Sequence, residues 1–339
     1  MKKSVVAALG LLVIGTCLLV NGLVSGGNKP VEVTNYKVKV RENNQKSGQR
    51  ILTQKEFQKL EINVDARIQI KQGNQYKIES YGFAKGDLTH QVDNGTLQIN
   101  QNKKDLFSHW LVDINHGITS DYAHDIDDKQ VTVTVPKNVK LDSLKIGYIG
   151  YSEKLSIQEI SSRKVALRSG SVELDKVNFE QGKIRTTVGN LDIHNSNLNQ
   201  VDLEVLDSDL DLYQTKLADS KINISDGDML VKDCDLKNMD VKLNDGDATL
   251  SRVKVTAGHL TTSDGDVMAD NLHVTGVYRI HSIDGDLTSR QTKADGYQAR
   301  SIDGDVFLFG KPSSSKQVQN VQAANRLELV ADSGDIHVN

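Results

Sequence analysis

Residues 221–231 read KINISDGDMLV, 240–250 DVKLNDGDATL, 260–270 LTTSDGDVMAD and 279–289 RIHSIDGDLTS. Each segment alternates apolar and polar residues on both sides of an Asp-Gly-Asp triplet. Working outward, the glycine position recurs at Gly170, Gly189, Ser208, Gly227, Gly246, Gly265, Gly285 and Gly304, in steps of 19 with one of 20. Gly334 follows Gly304 by 30 residues, one step plus an insertion of 11. A fixed period near 20 marks stacked supersecondary units rather than one globular core.

With the glycine as position zero, apolar residues recur at −5, +2 and often +4 and +9, as in Ile222, Met229, Val231 and Leu236 around Gly227. Position −3 is apolar early in the array and shrinks to Thr262, Ser282, Ser301 and Ala331 later. Two strands per coil meeting at a glycine corner account for this spacing, because glycine permits a bend that a Cβ resists. Gly170, Gly189, Gly227, Gly246, Gly265, Gly285, Gly304 and Gly334 are therefore read as structural turn residues. Residues 141–339 form the expected β-solenoid of about nine coils, with a loop insertion at 310–325. At about 4.8 Å per layer, nine coils make a rod roughly 40 Å long.

Upstream, residues 51–140 alternate with period two, as half-buried strands require, and form the expected β-rich N-terminal cap. Asn94-Gly95 between two such runs predicts a two-residue hairpin. Pro136 cannot donate to a ladder and should end its strand. Residues 28–50 are polar and read as a tether, with a short strand at 36–40. Lys2 and Lys3 precede an apolar run from Val5 to Val24. Twenty helical residues rise about 30 Å, one hydrocarbon core. Residues 1–27 thus predict an uncleaved transmembrane helix, with the basic flank cytoplasmic and the rest outside. A cleaved signal segment ending near Val24-Ser25-Gly26, and lipid attachment at Cys17, are the alternatives.

Net charge is −4 and aromatics are 5% of the 339 residues. Acidic and basic residues intersperse, which argues against a nucleic-acid partner. Few aromatics suit a narrow solenoid filled by Val, Ile and Leu. Cys17 and Cys234 are the two cysteines, so the array holds no disulfide framework.

Asp precedes the glycine in Asp226, Asp245, Asp264, Asp284 and Asp303, and follows that position in Asp209, Asp228, Asp247, Asp266, Asp286, Asp305 and Asp335. Stacking would set these carboxylates in two rows, where neighbours about 5 Å apart repel by about 0.8 kcal/mol in water. One reading has each Asp accept hydrogen bonds from turn amides. The other places calcium between the rows, although no recognised calcium-loop motif is present. No other cofactor is expected. His109, His116 and His124 with Asp113, Asp121 and Asp125 could in principle hold a metal, but their spacing fits no standard site and suits a polar loop. Paired carboxylates of a glycosidase should be a local departure from the repeat. Asp residues recurring in every coil read as structural, so the chain is not expected to be an enzyme.

The anchor, the segments FQKLEINVDARIQIKQG and VTVTVPKNVKLDSLKI, and the repeated Asp-Gly-Asp turns together resemble the putative-adhesin β-strand-repeat family of bacterial envelope proteins. The resemblance spans about residues 55–339 and carries no catalytic signature. It implies a surface-exposed β-solenoid, here membrane-anchored, working as an adhesin-like binding or scaffolding surface toward cell-wall polymer or another surface protein. An accessory component of an envelope-stress system and a polysaccharide-acting enzyme are the alternatives.

Overall fold

The computed structural model describes residues 31–34, 37–40, 50–51, 55–83, 86–102, 109–113, 117–120, 129–147 and 154–339, and they are all-β, with no helix among them. Among them no helix is long and apolar enough to cross a membrane, and the apolar run 5–24 with Cys17 lies outside the described residues. Within the expected tether, strands Val31–Thr34 and Lys37–Val40 pair with each other, and the first also pairs with His109–Asp113.

Two long sheets, of 15 and 16 strands, carry most of the chain, and one continuous apolar cluster fills the space they enclose. The coil around Gly227 shows how the sequence builds them. Leu210–Tyr213 joins the first sheet, whereas Lys216–Ala218 and Lys221–Asp226 join the second. Three bends separate these pieces, at Gln214 (φ 49), Asp219 (φ 53) and Gly227 (φ 132). The coil is thus three-cornered rather than two-stranded. Positive φ recurs at Asn195, Gln214, Asp233, Arg252, Asn271 and Gln291, and at Gln200, Asp219, Asn238 and Ala257. Asn and Asp enter this region at little cost. Arg252 and Ala257 do not, and the stack holds Arg252 there by its amide's bond to the Asp270 carbonyl at 2.9 Å.

Pairing between coils is parallel and in register, so Met229, Ala248, Val267 and Leu287 form one column. The +2, +4, +9 and −5 residues of the Gly227 coil are all buried. A bulge between Thr256 and Gly258 accounts for the single step of 20, with Gly276 (φ 71) beside the extra residue. The first step is less regular than its length suggests. Leu167 pairs with Ile184 and Ser169 with Thr186, so Leu167 belongs to the −5 column and the Gly189 coil turns two residues later.

Inside the stack, volume is conserved by exchange between two columns. At −3 the sequence Val205, Ile224, Leu243 gives way to Thr262, Ser282, Ala331 and Ser301. At −7, Val201, Ser220 and Met239 give way, after Gly258, to Tyr278, Leu327 and Tyr297. Both columns face inward along the same strands, and Tyr278 and Ser282 are fully buried. Large residues at one column thus fill what small residues vacate at the other.

The ends depart from chain order. At the C-terminus, Arg326–Ser333 lies between His273–Asp284 and Gly296–Asp303, and Ile336–Val338 lies between Leu287–Arg290 and Val306–Leu308. The last coil in sequence is therefore an inner layer. The insertion covers the outer coil instead, with Lys311–Ser313 and Lys316–Gln319 pairing antiparallel to it. The N-terminal end repeats the device. Lys59–Asn63 and Arg67–Gly73 sit inside, and Thr96–Gln101 with Gln130–Pro136 forms the outer layer. The antiparallel strands Leu88–Asp93 and Lys77–Tyr81 cover that layer. The cap region is thus a continuation of the stack. Asn94 (φ 47) and Gly95 (φ 70) make its hairpin, and the strand before Lys137 ends at Pro136.

Candidate functional site

The glycine corners superpose into a column in the order Gly227, Gly246, Gly265, Gly285, Gly334, Gly304, since a Cβ on each would overlap the carbonyl of the corner residue before it, Ser208 in the case of Gly227. Gly227, Gly246, Gly265, Gly285 and Gly334 have φ between 123 and 141. Gly189 lies against Gly170, to whose carbonyl its amide donates at 2.9 Å. At Ser208 the positive φ moves to Asp207 (φ 44), and the serine hydroxyl donates to the Leu206 carbonyl at 2.7 Å.

The row after the glycine forms a ladder. The amides of Asp228, Asp247, Asp266, Asp286, Asp335 and Asp305 each donate to Oδ1 of the Asp one layer before, at 2.7–3.0 Å. Asn190 opens the series by accepting from the Asp209 amide at 3.4 Å. The acceptor is thus paired to an amide of the neighbouring coil rather than of its own turn. Charge-assisted bonds of this kind offset the repulsion along the row. In the row before the glycine, Asp226, Asp245, Asp264 and Asp284 are neighbours, but Ser333 separates Asp284 from Asp303. Among the described residues no three His, Cys, Asp or Glu side chains converge as a metal centre needs. The side chains of the His109–Asp125 cluster lie outside the described residues.

The ladder makes a prediction about acceptor against charge. Asp247→Asn should leave stability within about 0.5 kcal/mol, because an amide oxygen still accepts from Asp266. Asp247→Ala should lose about 1–2 kcal/mol by orphaning that amide. Thermal melts decide it: equal losses for the two variants, reproduced by chelator on the wild type, would instead place a divalent cation on the row.

Cys234 is buried just after the bend at Asp233, the counterpart of Gln214, in line with Ser196 and Thr215. Its sulfur accepts from the Thr215 amide at 3.4 Å, and burial pushes the thiol up to about 11. At such a value it is a packing residue rather than a nucleophile.

The outer faces of the early coils separate charge. On the second sheet, Lys145, Ala166, Lys183 and Asp202 are successive partners, as are Ser143, Lys164 and Gln181. Arg168 pairs with Arg185, and Arg185 with Glu204. Lys59 lies one layer outward from Ser143. A shallow groove of about 580 Å³ runs over Ser143, Lys145, Lys164, Ala166 and Gly182, and a second adjoins it at Arg168, Lys183 and Arg185. Small side chains form the floor and long cations the walls. Lys183 meets Glu204 at 2.6 Å, and this close contact holds the Glu204 carboxyl below its usual range. On the first sheet, Glu173, Asp192 and Asp211 follow one another outward-facing. Burial, with the nearby carboxylates, raises the Asp192 and Asp211 carboxyls. The cationic face was not singled out by the sequence, although outward alternation in SSRKVALRS and GKIRT carries its signal.

An in-register stack of parallel coils with charged outer faces defines the class, a β-repeat protein built of coil layers. Its family is Toastrack DUF4097, whose model matches residues 57–236 and 231–339, and the chain belongs to it. Among solved structures, a putative adhesin from Parabacteroides merdae is 12% identical over 87% of this chain and 97% of that one, with a TM-score of 0.40. A putative adhesin from Bacteroides fragilis is 11% identical over 86% and 96%, with a TM-score of 0.36. A putative lipid binding protein from Parabacteroides distasonis is 13% identical over 87% and 98%, with a TM-score of 0.35. No curated protein matches the chain.

Proposed function

We propose that this chain is a membrane-anchored, extracytoplasmic β-solenoid whose outer faces serve as a non-catalytic binding or scaffolding surface at the cell envelope. The observation that supports it is the segregation of charge on a rigid stack. Lys145, Lys164 and Lys183 occupy one outer face while Glu173, Asp192 and Asp211 occupy the other, in neighbouring coils. A regular backbone ladder fixes the spacing of such groups before any partner arrives, which reduces the ordering cost of binding. The basic flank and the apolar run 5–24 support the anchor and its orientation.

Cosedimentation of the full-length chain, in detergent, with isolated envelopes tests this reading. Saturable binding without release of soluble glycan fragments is expected, together with protease sensitivity of the C-terminal part on intact cells. Binding no better than that of an unrelated protein, or fragment release abolished by one Asp→Asn change, would reject it.

A further inference from the structure

We infer that the cationic face over residues 140–185 binds a linear polyanion, one carrying a phosphate on each unit, along the groove rather than a flat anionic membrane. The inference rests on the reading of this chain as a binding surface and names its ligand class. Six cations, Lys59, Lys145, Lys164, Arg168, Lys183 and Arg185, share this face within four layers. Among the described residues, Lys59, Lys145 and Lys164 have no carboxylate within ion-pair distance, whereas Lys183 and Arg185 share Glu204 at 2.6 and 3.7 Å. The three lysines are exposed. A chain with net charge −4 thus concentrates unpaired positive charge at one place.

The geometry selects the shape of the ligand. Layers are about 4.8 Å apart and alternate residues on a strand about 7 Å apart, so the cations form a lattice at roughly 5–13 Å. That spacing suits anions repeated along an extended polymer. Ala166, Gly182 and Ser143 keep the floor low between the long cationic side chains. Carboxylates border the groove: Glu61, on the strand of Lys59, lies beside Lys145, Asp202 lies beside Lys183, and Asp142 and Glu180 near the strand starts pair with Arg163 and Lys140. A narrow chain lying in the groove avoids these borders, but a plane of anionic headgroups pressed onto the face meets them.

The test uses the full-length chain held by its anchor in phosphatidylcholine nanodiscs, with fluorescent poly(glycerol phosphate), neutral dextran, and vesicles of phosphatidylglycerol and phosphatidylcholine as probes. Wild type should bind the phosphate polymer and not dextran, with log Kd rising against log salt at a slope of about 2, as counterion release predicts for about three neutralised phosphates. The Lys145→Glu, Lys164→Glu double variant should bind at least ten-fold more weakly at ~100 mM salt. Its melting temperature should fall by no more than a few degrees, since both side chains are exposed and only Glu61 gains a like-charged neighbour. Binding within two-fold of wild type overturns the inference, and so does vesicle binding as tight as polymer binding. Wild type that binds envelopes but not the polymer refutes the ligand class alone. Wild type that binds neither refutes the binding-surface reading as well.

Discussion

Gly246→Val is expected to break the stack at its middle, lowering stability by about 4 kcal/mol or more. Two effects combine. The residue sits at φ 123, where an L side chain is strained by about 1–3 kcal/mol. The added Cβ would also overlap the Gly227 carbonyl oxygen and crowd its carbon, which are backbone atoms that cannot rotate away. Relief requires the two layers to part. Parting stretches the bond from the Gly227 amide to the Asp245 carbonyl, at 3.1 Å, and that from the Asp247 amide to Asp228 Oδ1, at 2.9 Å. Because coils contact only their neighbours, the damage should stay local. Hydrogen exchange should accelerate at Met229–Lys232 and Ala248–Ser251 while the ends keep their protection. Gly310→Ala is the comparison: its φ is 72 but nothing lies near the new Cβ, so the loss should be about 1 kcal/mol. A Gly246→Val melt that overlays wild type would refute the close-approach account of the corner.

That corner was legible because its chemistry is local. A glycine between two aspartates, at a constant step, reports a bend and a period without any knowledge of partners. The other two corners were less visible. Asn195, Asp233 and Asn271 at one corner, and Asp219 and Asn238 at the other, accept positive φ, yet Arg252 and Ala257 occupy those two columns and announce nothing. There the stack imposes the conformation on the residue. The Asp ladder was half legible: an amide acceptor was expected, but which amide depends on register between layers. The cationic face has the same origin. Lys145 and Lys183 are 38 residues apart in sequence and two layers apart in space, with only Ala166 between them. Averaging over the whole chain hides such a cluster. The layer order at the ends was not legible at all, since Gly285 and Gly304 differ by 19 residues, as direct neighbours would.

Deleting residues 326–339 should therefore do more than peel a terminal coil. The removed segment is an interior layer holding Leu327, Leu329, Ala331, Ile336 and Val338, all buried. Burial of four large apolar side chains stabilises by on the order of 5–10 kcal/mol as an upper figure. Its absence strands the outer coil, because Gly296–Asp303 and Val306–Leu308 pair in parallel only with the deleted strands. The chain steps over the empty layer at residues 293–296. Lys293 still bonds to the Leu272 carbonyl at 2.7 Å, whereas Tyr297 is pinned a layer further on by its hydroxyl's bond to the Thr292 carbonyl, also 2.7 Å. Dropping the outer coil onto His273–Asp284 would break that pin and set Tyr297 directly against Tyr278 in the inner column that Leu327 now separates. Residues 296–319 should consequently lose hydrogen-exchange protection together. Retained protection at 296–308 would mean that the coil redocks and that the tucked layer is dispensable. A point variant probes the same layer without truncation. Glu328 is 4% exposed and takes two bonds from Arg279 and two from Arg326, at 2.6–3.0 Å. Burial pushes its carboxyl up, but the hydrogen bonds and charges of the two arginines outweigh that and leave it below the usual range. A lowered folded value means its contribution is present above the ordinary glutamate range near pH 4.3 and is lost as pH falls through the folded value. Glu328→Gln should therefore cost about 1–3 kcal/mol at neutral pH, less than a fully buried pair because Arg279 is half exposed. The gap between variant and wild type should narrow as acid protonates Glu328. A gap that stays constant from pH 7 to pH 2 would show that the side chain acts by packing rather than by charge.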